Sequence, residues 1–255
     1  MPIIHGSGVG ETLHGTMFSD TIFGYGGDDT LYGGGDIDWL YGGDNNDWLY
    51  GETGNDTLSG EAGNDHLFGG DGVDHLYGGG DDDWLQGGDD ADYLHGGSGN
   101  DTAAYGNSDA LVFVSLATGR GFNGDAEHDT LVDIENVSGS RFGDLLVGND
   151  QDNKLFGLGG DDTLWGGRGA DHLEGGMGND TLDGGANLVR MLDSGSLVFE
   201  GDVLIGGPGA DRFVFSSIDD IGNIHSYGAA ADLIRDFSRA EGDQIDLRPI
   251  GDFSL

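Results

Sequence analysis

An aspartate recurs every nine residues, ten times in succession: Asp20, Asp29, Asp38, Asp47, Asp56, Asp65, Asp74, Asp83, Asp92 and Asp101. Two residues after nearly every one stands a large aliphatic residue, Ile22, Leu31, Leu40, Leu49, Leu58, Leu67, Leu76, Leu85 and Leu94, and the residues before are rich in glycine. The unit reads Gly-Gly-x-Gly-x-Asp-x-Leu-x. A period held this long means an array of equivalent structural units. Each unit brings a carboxylate to the same place, so the array is also a row of candidate metal sites.

Residue types narrow the ion. There is no Cys and the eight His are scattered, so soft or borderline metals find little to bind. Calcium accepts six to eight oxygens in variable geometry and mixes carboxylates with main-chain carbonyls, whereas magnesium demands a stricter octahedron. Calcium is the expected ion. Glycines let each turn curl tightly enough to aim carbonyls at one point. The first glycine of each unit, Gly24, Gly33, Gly42, Gly51, Gly60, Gly69, Gly78, Gly87 and Gly96, joins the aspartates in the expected site.

Three residues per unit, x-Leu-x, remain for extended chain, with the Leu inward and its neighbours outward. Two units then make one coil of about eighteen residues, with short parallel strands on both sides of a thin aliphatic core. The expected fold is an all-β parallel β-roll, a β-solenoid. One edge carries Asp20, Asp38, Asp56, Asp74 and Asp92, the other Asp29, Asp47, Asp65, Asp83 and Asp101. An ion between successive coils would take one carboxylate from each.

This pattern resembles the RTX (repeats-in-toxin) family of calcium-binding proteins exported by Gram-negative bacteria. The resemblance covers roughly residues 6–103 and 139–213, the first and second rolls. Between them, residues 104–138 form a β-rich linking segment with a strand-like run from Ala110 to Leu116, ending in Ile134-Glu135-Asn136-Val137, a block similar to that between repeat blocks in many RTX proteins. It is expected to cover the roll's end or flank. The second roll restarts at Asp144, Asn153, Asp162, Asp171 and Asp180, with Gly157, Gly166 and Gly175 as its site glycines. Asn153 lacks a charge, so its site should be weaker. After an irregular stretch, 186–200, come units at Asp202 with Leu204 and at Asp211 with Phe213. Residues 214–255, with Asp232-Leu-Ile-Arg-Asp-Phe237 and Gly242-Asp-Gln-Ile-Asp-Leu247, resemble the C-terminal module of the serralysin metalloproteases. In that family the module closes the roll and carries the export signal. The resemblance implies type I secretion through an ABC exporter, with an uncleaved signal ending here in Asp252-Phe253-Ser254-Leu255.

Charge agrees with this reading. The formal net charge is -39, from 48 acidic and 9 basic residues, so without counter-ions the repeats should repel one another and stay largely unfolded. Metal binding and folding then become one event. Nucleic acid is excluded as a partner, because phosphate recognition needs a basic surface. The N-terminus has neither a basic n-region nor an apolar h-region, and no apolar run reaches transmembrane length.

Two departures from the repeat matter. Asp36, Asn45, Asp81 and Asp90 stand where the third glycine belongs. Asn and Asp tolerate left-handed backbone best among non-glycine residues, so these turns should keep their shape. Aromatics such as Tyr32, Tyr50 and Phe68 flank the inward Leu at intervals of eighteen, and they are expected to stack across strands. Outward His66, His75, His95 and His172 do not suit a zinc site, since neighbours nine residues apart point to opposite sides.

Catalysis is not expected. His-Glu-x-x-His and Gly-x-Ser-x-Gly are missing, and nearly all acids belong to repeat turns. RTX enzymes carry a catalytic domain ahead of the roll, and this chain repeats almost from Met1. The sequence reads as a small RTX protein in its own right or as the accessory part of something larger. The competing reading is a polysaccharide-binding module of an RTX enzyme such as an alginate epimerase or serralysin-like protease. Its partner would be an extracellular polysaccharide or cell-surface component.

Overall fold

The computed structural model describes residues 2–186, 189–191, 197–199, 201–215 and 232–246. They fall into two compact units, Met1–Val114 with Thr118–Val137, and Ser115–Ala117 with Ser138–Leu255. The irregular stretch 186–200 is described only in part, and 252–255, the expected end of the signal, lies outside the described residues.

In the first unit, strands nine residues apart alternate between two parallel sheets. One sheet runs through Ile3–His5, Thr21–Gly26, Trp39–Asp44, Thr57–Ala62, His75–Gly80, Tyr93–Ser98 and Thr130–Val132. The other runs through Thr12–His14, Thr30–Gly35, Trp48–Thr53, His66–Asp71, Trp84–Asp89, Thr102–Ala104 and Asn136–Ser138. Register follows the eighteen-residue coil, pairing Ile22 with Leu40, Leu40 with Leu58 and Leu58 with Leu76 on one sheet, and Leu31 with Leu49 and Leu49 with Leu67 on the other. Slipping by one residue would turn every Leu outward. The core is therefore one file of fully buried aliphatic residues per sheet, Ile22 to Leu94. This is the expected β-roll.

The linking segment adds to that architecture. Thr130–Val132 pairs in parallel with Tyr93–His95, setting Leu131 opposite Leu94, so the chain resumes the coil after an insertion. The insertion holds strands Phe113–Ser115 and Arg120–Phe122 and a 3-10 turn at Gly124–Ala126. The second unit repeats the scheme. Leu146, Leu164, Leu182, Phe213 and Ile245 succeed one another on one sheet, and Leu155, Leu173, Leu204 and Ile234 on the other. Residues 232–246 thus supply coil strands to the second unit.

Backbone geometry bears out the expectation for the substituted glycines. Asp36, Asn45, Asp81 and Asp90 hold φ of 67, 83, 71 and 77°. The second glycine position also requires positive φ, and there Tyr25, Glu52, Glu61 and Leu158 hold it at 79, 74, 78 and 72°. Leu158 suits it least, having no polar group to bond locally, and its side chain is 47% exposed, so little burial compensates. Left-handed backbone costs a non-glycine residue about 1–2 kcal/mol, against roughly 0.5–1 kcal/mol for the entropy of a glycine. Leu158→Gly is expected to stabilise the folded chain by roughly 0.5–1 kcal/mol. Urea unfolding at fixed calcium checks it, and an unchanged or lower midpoint would contradict the strain argument.

Candidate metal centre

Each repeat places its aspartate just before an inward Leu, where the turn meets the strand, and stacking brings equivalent turns together every eighteen residues. All ten aspartates of the first array are buried, at most 3% exposed. Carboxylates are seldom buried without compensation. One oxygen has it. The N–H of Asp20 donates to Asp38 Oδ1 at 2.7 Å, that of Asp38 to Asp56, Asp56 to Asp74 and Asp74 to Asp92. On the other edge Asp29, Asp47, Asp65 and Asp83 donate in the same way to Asp47, Asp65, Asp83 and Asp101. Two ladders result, each step one coil long.

The second oxygen has no such partner. Oδ2 of Asp29, Asp38, Asp47, Asp56, Asp65, Asp74, Asp83, Asp92 and Asp101 is buried without a hydrogen bond, as is Oδ1 of Asp20. The second unit repeats this at Asp162, Asp171, Asp180, Asp202 and Asp211. A buried unsatisfied oxygen is costly, and a column of ionised ones more so.

These oxygens converge with others. A Cβ on Gly51 would meet the Gly69 carbonyl oxygen at 2.5 Å and Asp56 Oδ2 at 2.6 Å. On Gly33 it would meet Asp38 Oδ2 at 2.5 Å and the Gly51 carbonyl at 2.8 Å. Gly24, Gly42, Gly60, Gly69 and Gly78, and Gly157 and Gly166 in the second unit, stand in the same relation to the aspartate five residues on and to the first-glycine carbonyl of the next coil. Close approach is what demands glycine at this first position. Positive φ favours it at the second, as at Gly34 and Gly43. The carbonyls of Gly87, Gly96 and Gly175 face the glycine one coil earlier. At the cradles of Gly87 and Gly175 themselves, the three nearest atoms all belong to Asp92 and Asp180.

Burial also shows in proton affinity. It pushes Asp38 up to about 6, Asp47, Asp56, Asp65 and Asp74 up to about 7, and Asp83 and Asp92 up to about 8, opposed by the N–H bond and reinforced by nearby carboxylates. Asp162 rises to about 8 and Asp171 to about 7 for the same reason. The columns call for positive charge, and among the described residues the Arg ion pairs lie elsewhere, Arg168 with Asp150 and Arg212 with Asp246. Among the described residues no three His, Cys, Asp or Glu side chains gather at one point. A cation here would rest on carboxylates supplemented by main-chain carbonyls, a donor set that suits a hard ion such as calcium.

Not every expected ligand is placed alike. Asp144 accepts from Ser140, Oδ2 from its N–H at 2.5 Å and Oδ1 from its hydroxyl at 2.9 Å. Asn153 Oδ1 accepts from the Asn149 N–H at 2.8 Å. The structure also reveals rungs that a strict nine-residue period misses. Asp129 Oδ1 accepts from Asp92, Glu135 Oε2 from Asp101, Asp232 Oδ1 from Asp202 and Asp243 Oδ1 from Asp211, and Asp202, a unit already read in the sequence, accepts from Asp171. All but Glu135 keep Asp-x-Leu or Asp-x-Ile, the signal that survives the insertions.

The outward aromatics stack as expected. His14, Tyr32, Tyr50 and Phe68 form a file with centroids 4.8–4.9 Å apart and planes within 8°. Tyr32, Tyr50 and Phe68 are half-buried within it. A second file runs through His5, Phe23 and Tyr41. Among the described residues no helix is long and apolar enough to cross a membrane.

Compared with known proteins, the chain finds no match among curated sequences. Against protein families it matches the RTX calcium-binding nonapeptide repeat (4 copies) over residues 5–40, 41–76, 68–103, 138–173 and 157–187. The match ends at residue 187 and does not extend to 214–255, where a resemblance to the serralysin module is expected. With more than half of its length so matched, the chain belongs to the RTX calcium-binding nonapeptide-repeat family, whose members bind multiple calcium ions.

Proposed function

We propose that this chain is a secreted calcium-binding β-roll that folds when its turns take up calcium outside the cell, and that its role is structural or interactive rather than catalytic. The observation that carries this reading is the pair of columns of buried aspartates, which from Asp29 to Asp101 each leave an oxygen unpartnered beside a glycine cradle. Bound calcium would supply the positive charge the columns lack. The aspartates would hold it with their second oxygens, the first glycines would offer carbonyls, and the N–H ladder would fix each carboxylate's direction. The proposed ligands are the ten aspartates from Asp20 to Asp101, with Asp162, Asp171, Asp180 and Asp211. Asp202 joins them on the same geometry. Asp20, Asp144 and Asn153 are weaker sites, because neighbouring donors already engage their oxygens.

The proposed organisation is two rolls, 1–103 and 139–213, joined by 104–138 and closed by 214–255. RTX repeat proteins are exported by type I secretion. Cytosolic free calcium is far below that outside the cell, so such a roll stays unfolded, and threadable, until it emerges.

Export provides the test. In cells carrying a type I ABC exporter, deleting 252–255 should sharply lower the secreted yield while calcium-induced folding of the purified protein is nearly unchanged. A larger deletion, from Ala210 onward, should also weaken the second roll, because it removes the strands that pair with Thr181–Ala186 and Val203–Ile205. Parental yield from the short truncation would place the signal elsewhere. Absence of any export would remove the secreted reading.

A further inference from the structure

Asp129 continues one ladder by accepting the Asp92 N–H at 2.8 Å, yet its second oxygen is not left unpartnered. The hydroxyl of Tyr105 donates to Asp129 Oδ2 at 3.0 Å, and Tyr105 is 1% exposed. A buried phenol needs an acceptor as much as a buried carboxylate needs a donor, so each satisfies the other. A further feature marks this turn. Where the repeats from Asp29 to Asp101 have a glycine-rich turn before the aspartate, the chain before Asp129 forms the 3-10 turn Gly124–Ala126 of the linking segment.

We propose that the turn at Asp129 takes no ion, and that Tyr105 is the residue that closes this calcium column, its hydroxyl doing for Asp129 what an ion would do for the aspartates upstream. This rests on the calcium reading of the other turns. Tyr105 is then a positioning residue: it holds the last carboxylate of the ladder in line, so Asp92 is presented to its own cradle without a further ion beyond it. The first roll therefore carries an end that is complete without metal.

Two measurements test it on the full chain. Equilibrium dialysis at saturating calcium counts ions per chain for the parent, Asp129→Asn and Asp65→Asn. The asparagine at 129 keeps an acceptor for Asp92 and a group for Tyr105, so its count should equal the parent's, while Asp65→Asn should bind fewer. Tyr105→Phe strands a buried oxygen, and at a fixed subsaturating calcium concentration its folding equilibrium constant should fall by about tenfold, from the cost of an unsatisfied buried acceptor. If Asp129→Asn loses as many ions as Asp65→Asn, or Tyr105→Phe folds as the parent does, the proposal is wrong. Should Tyr105→Phe not fold at all, the count for Asp129→Asn decides alone. An unchanged count for Asp65→Asn would instead overturn the calcium reading beneath it.

Discussion

Freed of metal by dialysis, the first roll is expected to be most stable near pH 4 and to come apart as the pH rises through about 6 to 8. An aspartate has an unfolded pKa of about 4. Folding raises it to about 7 at Asp56, Asp65 and Asp74 and to about 8 at Asp83 and Asp92, chiefly through burial. The folded chain therefore binds more protons than the unfolded chain between those values. By linkage its stability is fully present below the unfolded pKa and is lost as the pH climbs through the folded ones. Calcium reverses the dependence, because it binds the ionised carboxylates and must displace their protons. Circular dichroism across pH 4 to 9, with and without calcium, should give two profiles of opposite slope. Metal-free protein more stable at pH 8 than at pH 4 would show that the buried carboxylates are not what the ion relieves.

The second large effect is expected at the middle of the array. Asp65 accepts the Asp47 N–H with Oδ1, while its own N–H donates to Asp83. Replacing it with Ala removes a rung of the ladder together with the charged oxygen that lies beside the Gly60 cradle and the Gly78 carbonyl. Hydrogen bonds to charged groups contribute about 1.5–3 kcal/mol, so the folding constant at fixed calcium should drop on the order of 10- to 100-fold from the ladder alone. The loss spreads to neighbouring coils, since each coil of a solenoid is stabilised by the next. Asp56→Ala should behave alike. Asn153→Ala should cost much less, because that side chain carries no charge and its oxygen bonds within its own turn. A calcium titration followed by folding, with equal midpoints for Asp65→Ala, Asn153→Ala and the parent, would sink the ligand assignment.

The roll could be read from sequence because a period of nine ties each inward Leu to its turn. The same period hid the rungs beyond it. From Asp92 to Asp129 the step is 37 residues and from Asp101 to Glu135 it is 34, since the linking segment intervenes before the chain returns to its coil. What returns it is local: Asp129 stands two residues before Leu131, as Asp243 does before Ile245. A search for that pair without a fixed interval would have found both. The partnerless second oxygen was not legible at all. It depends on where the N–H of the preceding coil falls, a property of stacking rather than of any one repeat. The buried pairing of Tyr105 with Asp129 joins residues 24 apart across the insertion, and nothing in the repeat announces it.

The most direct test of the central claim is to add calcium to metal-free protein at pH 8 while recording bound ion, β-type circular dichroism and hydrodynamic radius together. The account predicts that the three change in step over one cooperative range, with the chain contracting as ions bind, and that magnesium at the same concentration does not reproduce the change. Ion taken up or removed with the spectrum and radius unaltered would contradict it.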